Sequence, residues 1–350
     1  MSGHLSPAGG AGRPARSGGG RILVVGGYGA VGATVTAVLG SWFPGRVVVA
    51  GRSEAAARRL GGVRVDVADP DGLRLTLEEL GDVLLVVLCV EPPDNGAARV
   101  CLERGIHLVD IGATRGLLES VAALHDLAAR TRATAVLSVG VAPGLSNLLA
   151  RRAHEAVHGA ERIDLTVLLG AGERHGLDAV RWTVEGLAEA PAARPTRTVL
   201  PGHGLRTAHT FPFSDQHTLP RTLDAGRVTT RLCLDSRLLT SVLFGLRRGP
   251  LLRAARRPAV QRALTGIFSR IHLGGDGFAV RADAWRGDHH AAFALTGREQ
   301  SRVTALVAAH VARELLTGVP PAGVHHIEQL PSLASLPEAL EPHGVVLQRL

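Results

Sequence analysis

A glycine-rich turn near the amino terminus is the feature that most restricts how this chain can fold. A short apolar run, Ile22 to Val25, leads into Gly-Gly-Tyr-Gly-Ala-Val-Gly, and an apolar helical pattern starts at once. The turn holds the spacing Gly27-x-Gly29-x-x-Gly32 between a predicted strand and a predicted helix, the context in which it binds a dinucleotide pyrophosphate. Glycines here allow a tight turn, close approach of backbone to phosphate, and close packing of helix on strand. The sequence predicts a βαβ unit with an anion-binding helix N-terminus.

The end of the second predicted strand indicates which dinucleotide is bound. NAD-selective sites carry Asp or Glu about 20 residues beyond the glycines, where the acid binds the ribose 2′-hydroxyl. Here the strand Arg46 to Ala50 is followed by Gly51, Arg52 and Ser53, with no acid. Arginine can pair with a 2′-phosphate and serine can donate to it. The sequence favours NADP(H) over NAD(H); the alternative for Arg52 is a solvated surface arginine.

Apolar runs and helical patterns alternate up to about residue 152, which predicts a doubly wound parallel sheet of six strands. Ligands of such sheets lie outside the carboxyl ends of the strands, so residues 89–93, 110–113 and 140–147 are expected to line the nicotinamide. The same topology places adenine near Asp66 and Val67. The predicted cofactor contacts are Gly27, Tyr28, Gly29, Ala30, Val31, Gly32, Arg52, Ser53, Asp66, Val67, Val90 and Pro92.

The rest of the chain is less regular. A single helix is predicted over Val121 to Arg130, and an antiparallel pair is predicted from Gly277 to Ala284 and Ala291 to Thr296. The tail after Val319 has several prolines and little periodicity, so it is expected to wrap the surface. The first 20 residues lack the apolar segment of a secretory signal and are expected to form a disordered tail.

Composition limits the partners and the compartment. The net charge is +8, but all 39 basic residues are arginine and Ala and Gly are abundant, so the excess is compositional and no nucleic acid partner is predicted. The stretch Arg247 to Arg262 could touch an acidic partner or a membrane surface, but Pro250 and Pro258 interrupt it and favour a solvated helical face. No apolar run is long enough to span a bilayer. Three scattered cysteines give no disulfide framework and indicate the cytoplasm. No metal site is predicted, because the runs at 288–290 and 325–326 do not place their side chains on one face.

The absence of lysine restricts the chemistry. It excludes a Tyr-x-x-x-Lys pair and Schiff-base catalysis, and the single tyrosine, Tyr28, lies in the glycine loop. The candidate catalytic residues are Asp110, at a strand end, and His217. Asp110 can orient an amine or relay a proton, or it can simply cap the following turn. His203, His209 and His217 share a segment with Asp215, and a His–Asp pair is one candidate acid; the alternative is surface or structural histidine. Arginines that could clamp a substrate carboxylate are Arg181, Arg206 and Arg221.

The order of several segments resembles the saccharopine dehydrogenase-like NADP-binding family, which includes saccharopine reductases and carboxynorspermidine-type dehydrogenases. The segments are the glycine loop, Glu91-Pro92-Pro93, Gly105 to Asp110 and Pro143-Gly144-Leu145, with a weaker match at 211–215 and 297–301. The resemblance implies an α/β protein with an N-terminal Rossmann doubly wound parallel sheet, an inserted α+β mixed-sheet domain, and homodimers made through that domain. The expected boundaries are 1–20 for the tail, 21–152 for the NADP-binding domain, 153–296 for the substrate and dimerisation domain, and 297–350 for a C-terminal helix and tail that return to the first domain.

These observations lead to one function and two alternatives. The expected function is an NADP(H)-dependent oxidoreductase that transfers a hydride to or from the C=N bond of an amino-acid or amine-derived small molecule. A protonated imine already carries the positive charge that attracts a hydride, which suits a chain without lysine. The alternatives are a C=C or C=O reductase, and a sensor that binds NADP(H) without turnover.

Overall fold

The computed structural model describes residues 19–173, 182–183, 185–187, 194–246 and 274–350. Within these ranges the strands form two seven-stranded sheets. None of the helices there is both long and apolar enough to cross a lipid bilayer. Three predictions fall outside the described residues: the tail up to residue 18, the candidate Arg181, and the stretch Arg247 to Arg262.

The first sheet is entirely parallel, as the sequence predicts. Its strands are β1 (Arg21–Val25), β2 (Val47–Gly51), β3 (Val63–Arg64), β4 (Val83–Leu88), β5 (His107–Asp110), β6 (Thr134–Leu137) and β13 (Gly323–His326). Their spatial order is β13-β6-β5-β4-β1-β2-β3, and each neighbouring pair is parallel. The order reverses between β1 and β4, so the topological switch point, where ligands of such sheets bind, lies at the end of β1.

Side chains of β1 alternate between two hydrophobic cores, one on each face of the first sheet. Ile22 and Val24 belong to one core, and Leu23 and Val25 belong to the other. A parallel strand buried on both faces requires a continuous apolar run, and this explains why the sequence of β1 is apolar without alternation from Ile22 to Val25. The helices of this half are α1 (Gly32–Trp42), α2 (Glu54–Arg59), α3 (Pro70–Leu80), α4 (Gly96–Glu103), α5 (Arg115–Ala122), α6 (His125–Thr131) and α7 (Ser146–Ala156).

The second sheet is mixed and forms a separate domain. Its strands are β7 (Arg162–Leu169), β8 (Thr196–Leu200), β9 (Gly204–Thr210), β10 (Arg227–Leu234), β11 (Gly277–Arg286), β12 (His289–Arg298) and β14 (Val346–Arg349). Their order is β14-β12-β11-β7-β10-β9-β8, in which β7 and β10 are parallel and the other neighbours are antiparallel. The remaining helices are α8 (Asp215–Thr222), α9 (Arg237–Leu246), α10 (Gln300–Thr317) and α11 (Leu336–Ala339).

One hydrophobic core joins the two sheets. It extends from β1 through the buried face of α7 to Ile163 and Phe278 in the second sheet. Helix α7 packs on β11 and β12, and α10 packs on α1. The edge of the first sheet that carries the glycine loop is therefore held in place by apolar contacts with both halves of the molecule.

Two local predictions are wrong. The helix predicted over Val121 to Arg130 is the pair α5 and α6, which separate at Ala123 and Leu124. Leu124 is 4% exposed and keeps the apolar spacing across the break, so periodicity does not reveal it. The tail after Val319 does not merely wrap the surface, because it gives β13 to the first sheet and β14 to the second.

Candidate functional site

The glycine loop lies at the switch point and leaves no room for side chains. The amides of Gly26 and Gly27 both donate to the carbonyl of Ala50, at 2.8 and 3.2 Å, which ties the loop to β2. A Cβ on Gly27 would stand 2.8 Å from the Val24 carbonyl oxygen, and one on Gly32 would stand 2.1 Å from that of Gly26. The left-handed residue of the turn is Gly26, with φ of +78°, which precedes the first glycine of the motif.

The loop and the start of α1 fit a dinucleotide pyrophosphate. Gly29 and Ala30 are exposed, whereas the strand before them is buried. No side chain caps α1 at Val31, and its first turn contains no acid. The amide of Ala33 donates to the Gly29 carbonyl at 3.0 Å, which leaves the amides just before it, at the start of the helix, for an anion. The positive end of the helix dipole also attracts an anion. This backbone cradle, which side chains at Gly27 or Gly32 would fill, has the shape that a pyrophosphate requires.

The end of β2 carries the residues expected at the adenosine ribose. Arg52 is exposed and forms no ion pair with another residue in the described ranges. Ser53 is the N-cap of α2, where its Oγ accepts the amide of Ala56 at 3.3 Å. The backbone amide of Ser53 donates to the Tyr28 hydroxyl at 2.9 Å, so the glycine loop and the end of β2 are bonded directly.

The residues expected near adenine and nicotinamide lie around the same edge. Asp66 follows β3 and accepts the amide of Ala68 at 3.1 Å, while Val67 is buried in the second core. Val90 packs against that core, and its side chain faces Gly26, where a Cβ would be 2.6 Å from its Cγ1. Pro92 is buried just beyond β4. Of these positions, Val90 directly borders the cradle.

Asp110 is a buried acid at the carboxyl end of β5. Its Oδ1 accepts the amide of Gly112 at 2.7 Å, and its Oδ2 has no hydrogen-bond partner among the described residues. Burial raises the pKa of this carboxyl to about 7, the amide of Gly112 lowers it, and the charge of Glu91 raises it. Asp110 therefore caps its turn and also holds a proton near neutral pH. The side chain is 0% exposed, which keeps bulk water from it.

His217 lies apart from Asp110, in a small charged group where α8 meets α5. Its Nε2 is 3.4 Å from a guanidinium nitrogen of Arg115. Arg115 also bonds Glu119 at 2.9 Å, and Arg221 lies 3.6 Å from the same carboxylate. Partial burial, followed by the charge of Arg115, lowers the pKa of His217, so its imidazole is neutral at pH 7. The group presents two exposed arginines, Arg115 and Arg221, around a neutral ring.

Asp215 does not pair with His217 within the described residues. Its carboxylate instead accepts the hydroxyl of Thr230 at 2.5 Å and that of Ser146 at 3.5 Å. Asp215 is 0% exposed, and burial is the main cause that raises its pKa to about 7, with the charge of Glu328 adding to it. Of the other two candidate histidines, His209 stacks on Phe244, and burial lowers the pKa of His203.

A buried network that the sequence analysis missed joins three distant segments beside the loop at 140–145. Glu328, 1% exposed, accepts the amide nitrogen of Asn147 at 3.0 Å and the hydroxyl of Thr222 at 2.7 Å. Asn147 Oδ1 in turn accepts the amide of Gly144 at 3.1 Å. The loop expected to line the nicotinamide is thus fixed by a glutamate from the C-terminal segment. Only the position of Asn147 at the end of this loop gave a signal in the sequence.

Replacing Asp215 with asparagine is expected to remove part of the pH dependence of folding. The native pKa of Asp215 is raised from 3.8 to about 7, so the folded state binds the proton more tightly than the unfolded state. The protonated carboxyl of Asp215 contributes its full stabilisation of the folded state below pH 4. As the pH rises to 7 this contribution is lost, and the free energy of unfolding falls by at most about 4 kcal/mol. Urea unfolding at pH 5 and pH 8 should show wild type losing more stability than Asp215→Asn over this interval. Equal losses of stability between pH 5 and pH 8 in the two proteins would contradict this prediction.

Among the residues that the structure describes, no group of three or more His, Cys, Asp or Glu side chains is placed to hold a metal ion.

The glycine cradle at the switch point of a parallel sheet defines a Rossmann nucleotide-binding domain, to which a mixed-sheet domain is added. Residues 22–136 match the family model of the saccharopine dehydrogenase NADP binding domain, which confirms the resemblance predicted from the sequence. The matched residues run from β1 to β6 and include the glycine loop.

Two solved structures are similar over nearly the whole chain. An engineered D-amino acid dehydrogenase bound to NADP+ is 15% identical, over 92% of this chain and 98% of its own, with a TM-score of 0.51. The DAP dehydrogenase of C. glutamicum, in complex with DAP, is 17% identical over 92% of this chain and 97% of its own, with a TM-score of 0.49. The first likeness shows that the two-domain fold is shared.

Proposed function

We propose that this protein is an NADP(H)-dependent oxidoreductase that acts on the C=N bond of an amino-acid or amine-derived substrate. The observation that carries the proposal is the glycine cradle, which opens onto an uncapped helix and ends beside Arg52 with no acid at the end of β2. A bound NADPH would supply the hydride. The family match at residues 22–136 and the fold shared with a D-amino acid dehydrogenase support the same class of reaction.

The residues around the cradle suit an imine better than a carbonyl. When a protonated imine is reduced, its carbon gains the hydride and its nitrogen keeps the electron pair of the broken π bond, so that step needs no acid. A carbonyl oxygen must gain a proton as it is reduced, and the chain has neither lysine nor a tyrosine beyond Tyr28 to supply it, so the buried Asp110 would have to do so. Asp110, with a pKa near 7, is proposed to relay a proton to or from the substrate nitrogen. His217, whose imidazole is neutral at pH 7, is proposed to accept a proton from the substrate.

The substrate is proposed to be an anion. Arg115 and Arg221 lie 53% and 60% exposed beside His217, where the two domains meet. Guanidinium groups bind carboxylates through paired hydrogen bonds. Glu119 offsets one of the two charges, which leaves the group with a net positive charge for a single carboxylate.

Changing Arg52 to aspartate is expected to weaken NADPH binding by about 10- to 100-fold while NADH binding changes little, because a bond to a charged group contributes about 1.5–3 kcal/mol. The measurement is a titration followed by nicotinamide fluorescence. Arg130→Asp, an equal charge change on an exposed residue of α6, is the control. Equal losses for both nucleotides, or failure of the unmodified protein to bind either, would overturn the cofactor assignment. Binding of NADPH justifies a screen of amine and keto-acid pairs for NADPH oxidation.

The second candidate function is an NADP(H) sensor without turnover, and one observation favours it. Asp110, the only acid proposed at the reacting end, is 0% exposed. NADPH binding without oxidation in any amine, keto-acid, enoyl or carbonyl mixture would favour the sensor.

A homodimer is proposed for either function. The second domain exposes Val199 and Leu205, at 55% and 39%, which pair directly across β8 and β9. Apolar residues paired on an outer hairpin suit contact with a second copy of the chain.

A further inference from the structure

Tyr28 reaches from the glycine loop across to the end of β2. Its ring lies on Gly51, where an added Cβ would stand 2.4 Å from the tyrosine hydroxyl oxygen and 2.6 Å from Cζ. The ring therefore occupies space that any other residue at position 51 would fill. Tyr28 is partly buried, whereas the neighbouring Arg52 and Ser53 are exposed. The phenol group thus lies at the strand end where the ribose 2′ substituent is expected.

At the end of β2 the Tyr28 hydroxyl, rather than the Ser53 amide, is available to donate a hydrogen bond to a ligand. It accepts that amide at 2.9 Å, so the Ser53 N–H points to Tyr28 and is not available for a ligand. A phenol that accepts one hydrogen bond still has its own proton to donate. In the described part of the chain that proton has no acceptor. The Ser53 hydroxyl accepts the Ala56 amide as the cap of α2 and, like the phenol, keeps its own proton to donate.

We propose that the Tyr28 hydroxyl, oriented by the Ser53 amide, donates a hydrogen bond to the 2′-phosphate of NADP(H) and selects it together with Arg52. This inference rests on the proposed cofactor. A phosphate oxygen accepts a charge-assisted bond, which is about twice as strong as the neutral bond to a 2′-hydroxyl. The bond from Ser53 polarises the phenol and strengthens the bond that the phenol donates. Tyr28 therefore determines specificity, in addition to forming part of the loop.

The variant Tyr28→Phe removes the hydroxyl and keeps the ring over Gly51. It is expected to weaken NADPH binding by about 5- to 20-fold and NADH binding by no more than about twofold. The unfolding temperature without nucleotide should stay within a degree or two, since the lost bond is solvent-accessible. In an Arg52→Gln background the same change should have a smaller effect, because both groups act on one phosphate.

The single tyrosine of the chain allows a direct observation. The protein labelled with 3-fluorotyrosine gives one ¹⁹F resonance, from position 28. Adenosine 2′,5′-bisphosphate is expected to shift this resonance more than adenosine 5′-phosphate does, since the two probes differ only in the 2′-phosphate.

The outcomes separate this inference from the proposed function. In one set of outcomes the wild type prefers NADPH while Tyr28→Phe weakens the binding of both nucleotides equally, or of neither. In either case Tyr28 only shapes the loop, so the inference fails and the cofactor assignment stands. Equal ¹⁹F shifts with the two adenosine probes would lead to the same conclusion. If the wild type binds neither nucleotide, both proposals fail.

Discussion

Valine in place of Gly32 is expected to abolish binding of nicotinamide nucleotides. A Cβ at this position would stand 2.1 Å from the carbonyl oxygen of Gly26 and 2.9 Å from the Cα of Gly27. Both atoms belong to the backbone, so α1 must move away from the loop to make room. The phosphate-binding amides move with it, and the loss of two such bonds weakens binding by at least about 100-fold. Overpacking also lowers the stability of the protein by about 1–3 kcal/mol.

Gly40 provides a matched control in the same helix. A Cβ there meets no atom within 4 Å. The change Gly40→Ala should therefore leave nucleotide binding intact and raise stability by about 0.5–1 kcal/mol, the helix propensity of alanine over glycine. Fluorescence titration and thermal unfolding of both variants give the comparison. A Gly32→Val protein that binds NADPH as the wild type does would show that the phosphates do not lie in this cradle.

The cradle was predictable from the sequence because its information is local. The spacing of Gly27, Gly29 and Gly32 between an apolar strand and an apolar helix defines the loop within twelve residues. The motif does not specify which glycine takes the left-handed conformation. In the structure it is Gly26, whose amide, with that of Gly27, donates to the Ala50 carbonyl at the end of β2.

The contacts between segments distant in sequence were not predictable. Tyr28 and Ser53 are 25 residues apart, and their bond depends on the register of β1 on β2. The pairing of His217 with Asp215 was predicted only because the two residues are close in sequence. Residues two apart on a helix point away from each other, so α8 directs Asp215 inward and His217 toward Arg115.

Glu328 is the clearest case of a residue that the sequence could not identify. The tail that contains it was expected on the surface, because β13 is short and lacks an apolar pattern. Pairing of β13 with β6 carries Glu328 into the interior, next to Asn147 and Thr222, which lie 181 and 106 residues away in the chain. A buried carboxylate with two donors is recognised only when all three segments are in place.

Replacing Glu328 with alanine is expected to destabilise the protein by about 3–5 kcal/mol, because it leaves the buried amide of Asn147 without its acceptor, removes the bond from Thr222 and opens a cavity. The amide of Asn147 loses its acceptor, and this side chain also holds the amide of Gly144 in the loop at 140–145. Turnover should fall as well, since the loop is no longer held in one position. Urea unfolding measures the first effect. The control is Glu341→Ala, which removes an exposed glutamate from the same C-terminal segment and should change stability by no more than about 0.5 kcal/mol.

The variant Glu328→Gln separates the charge of this residue from its hydrogen bonds. The glutamine carbonyl can still accept the hydroxyl of Thr222, so this variant should lose less stability than Glu328→Ala. Both variants remove the negative charge that helps to raise the pKa of Asp215. The pH interval over which Asp215 loses its stabilising proton should therefore shift to lower pH in both, as unfolding from pH 4 to pH 8 would show. If Glu328→Ala were as stable as Glu341→Ala and kept the wild-type pH profile, the C-terminal glutamate would neither fix the loop at 140–145 nor raise the pKa of Asp215.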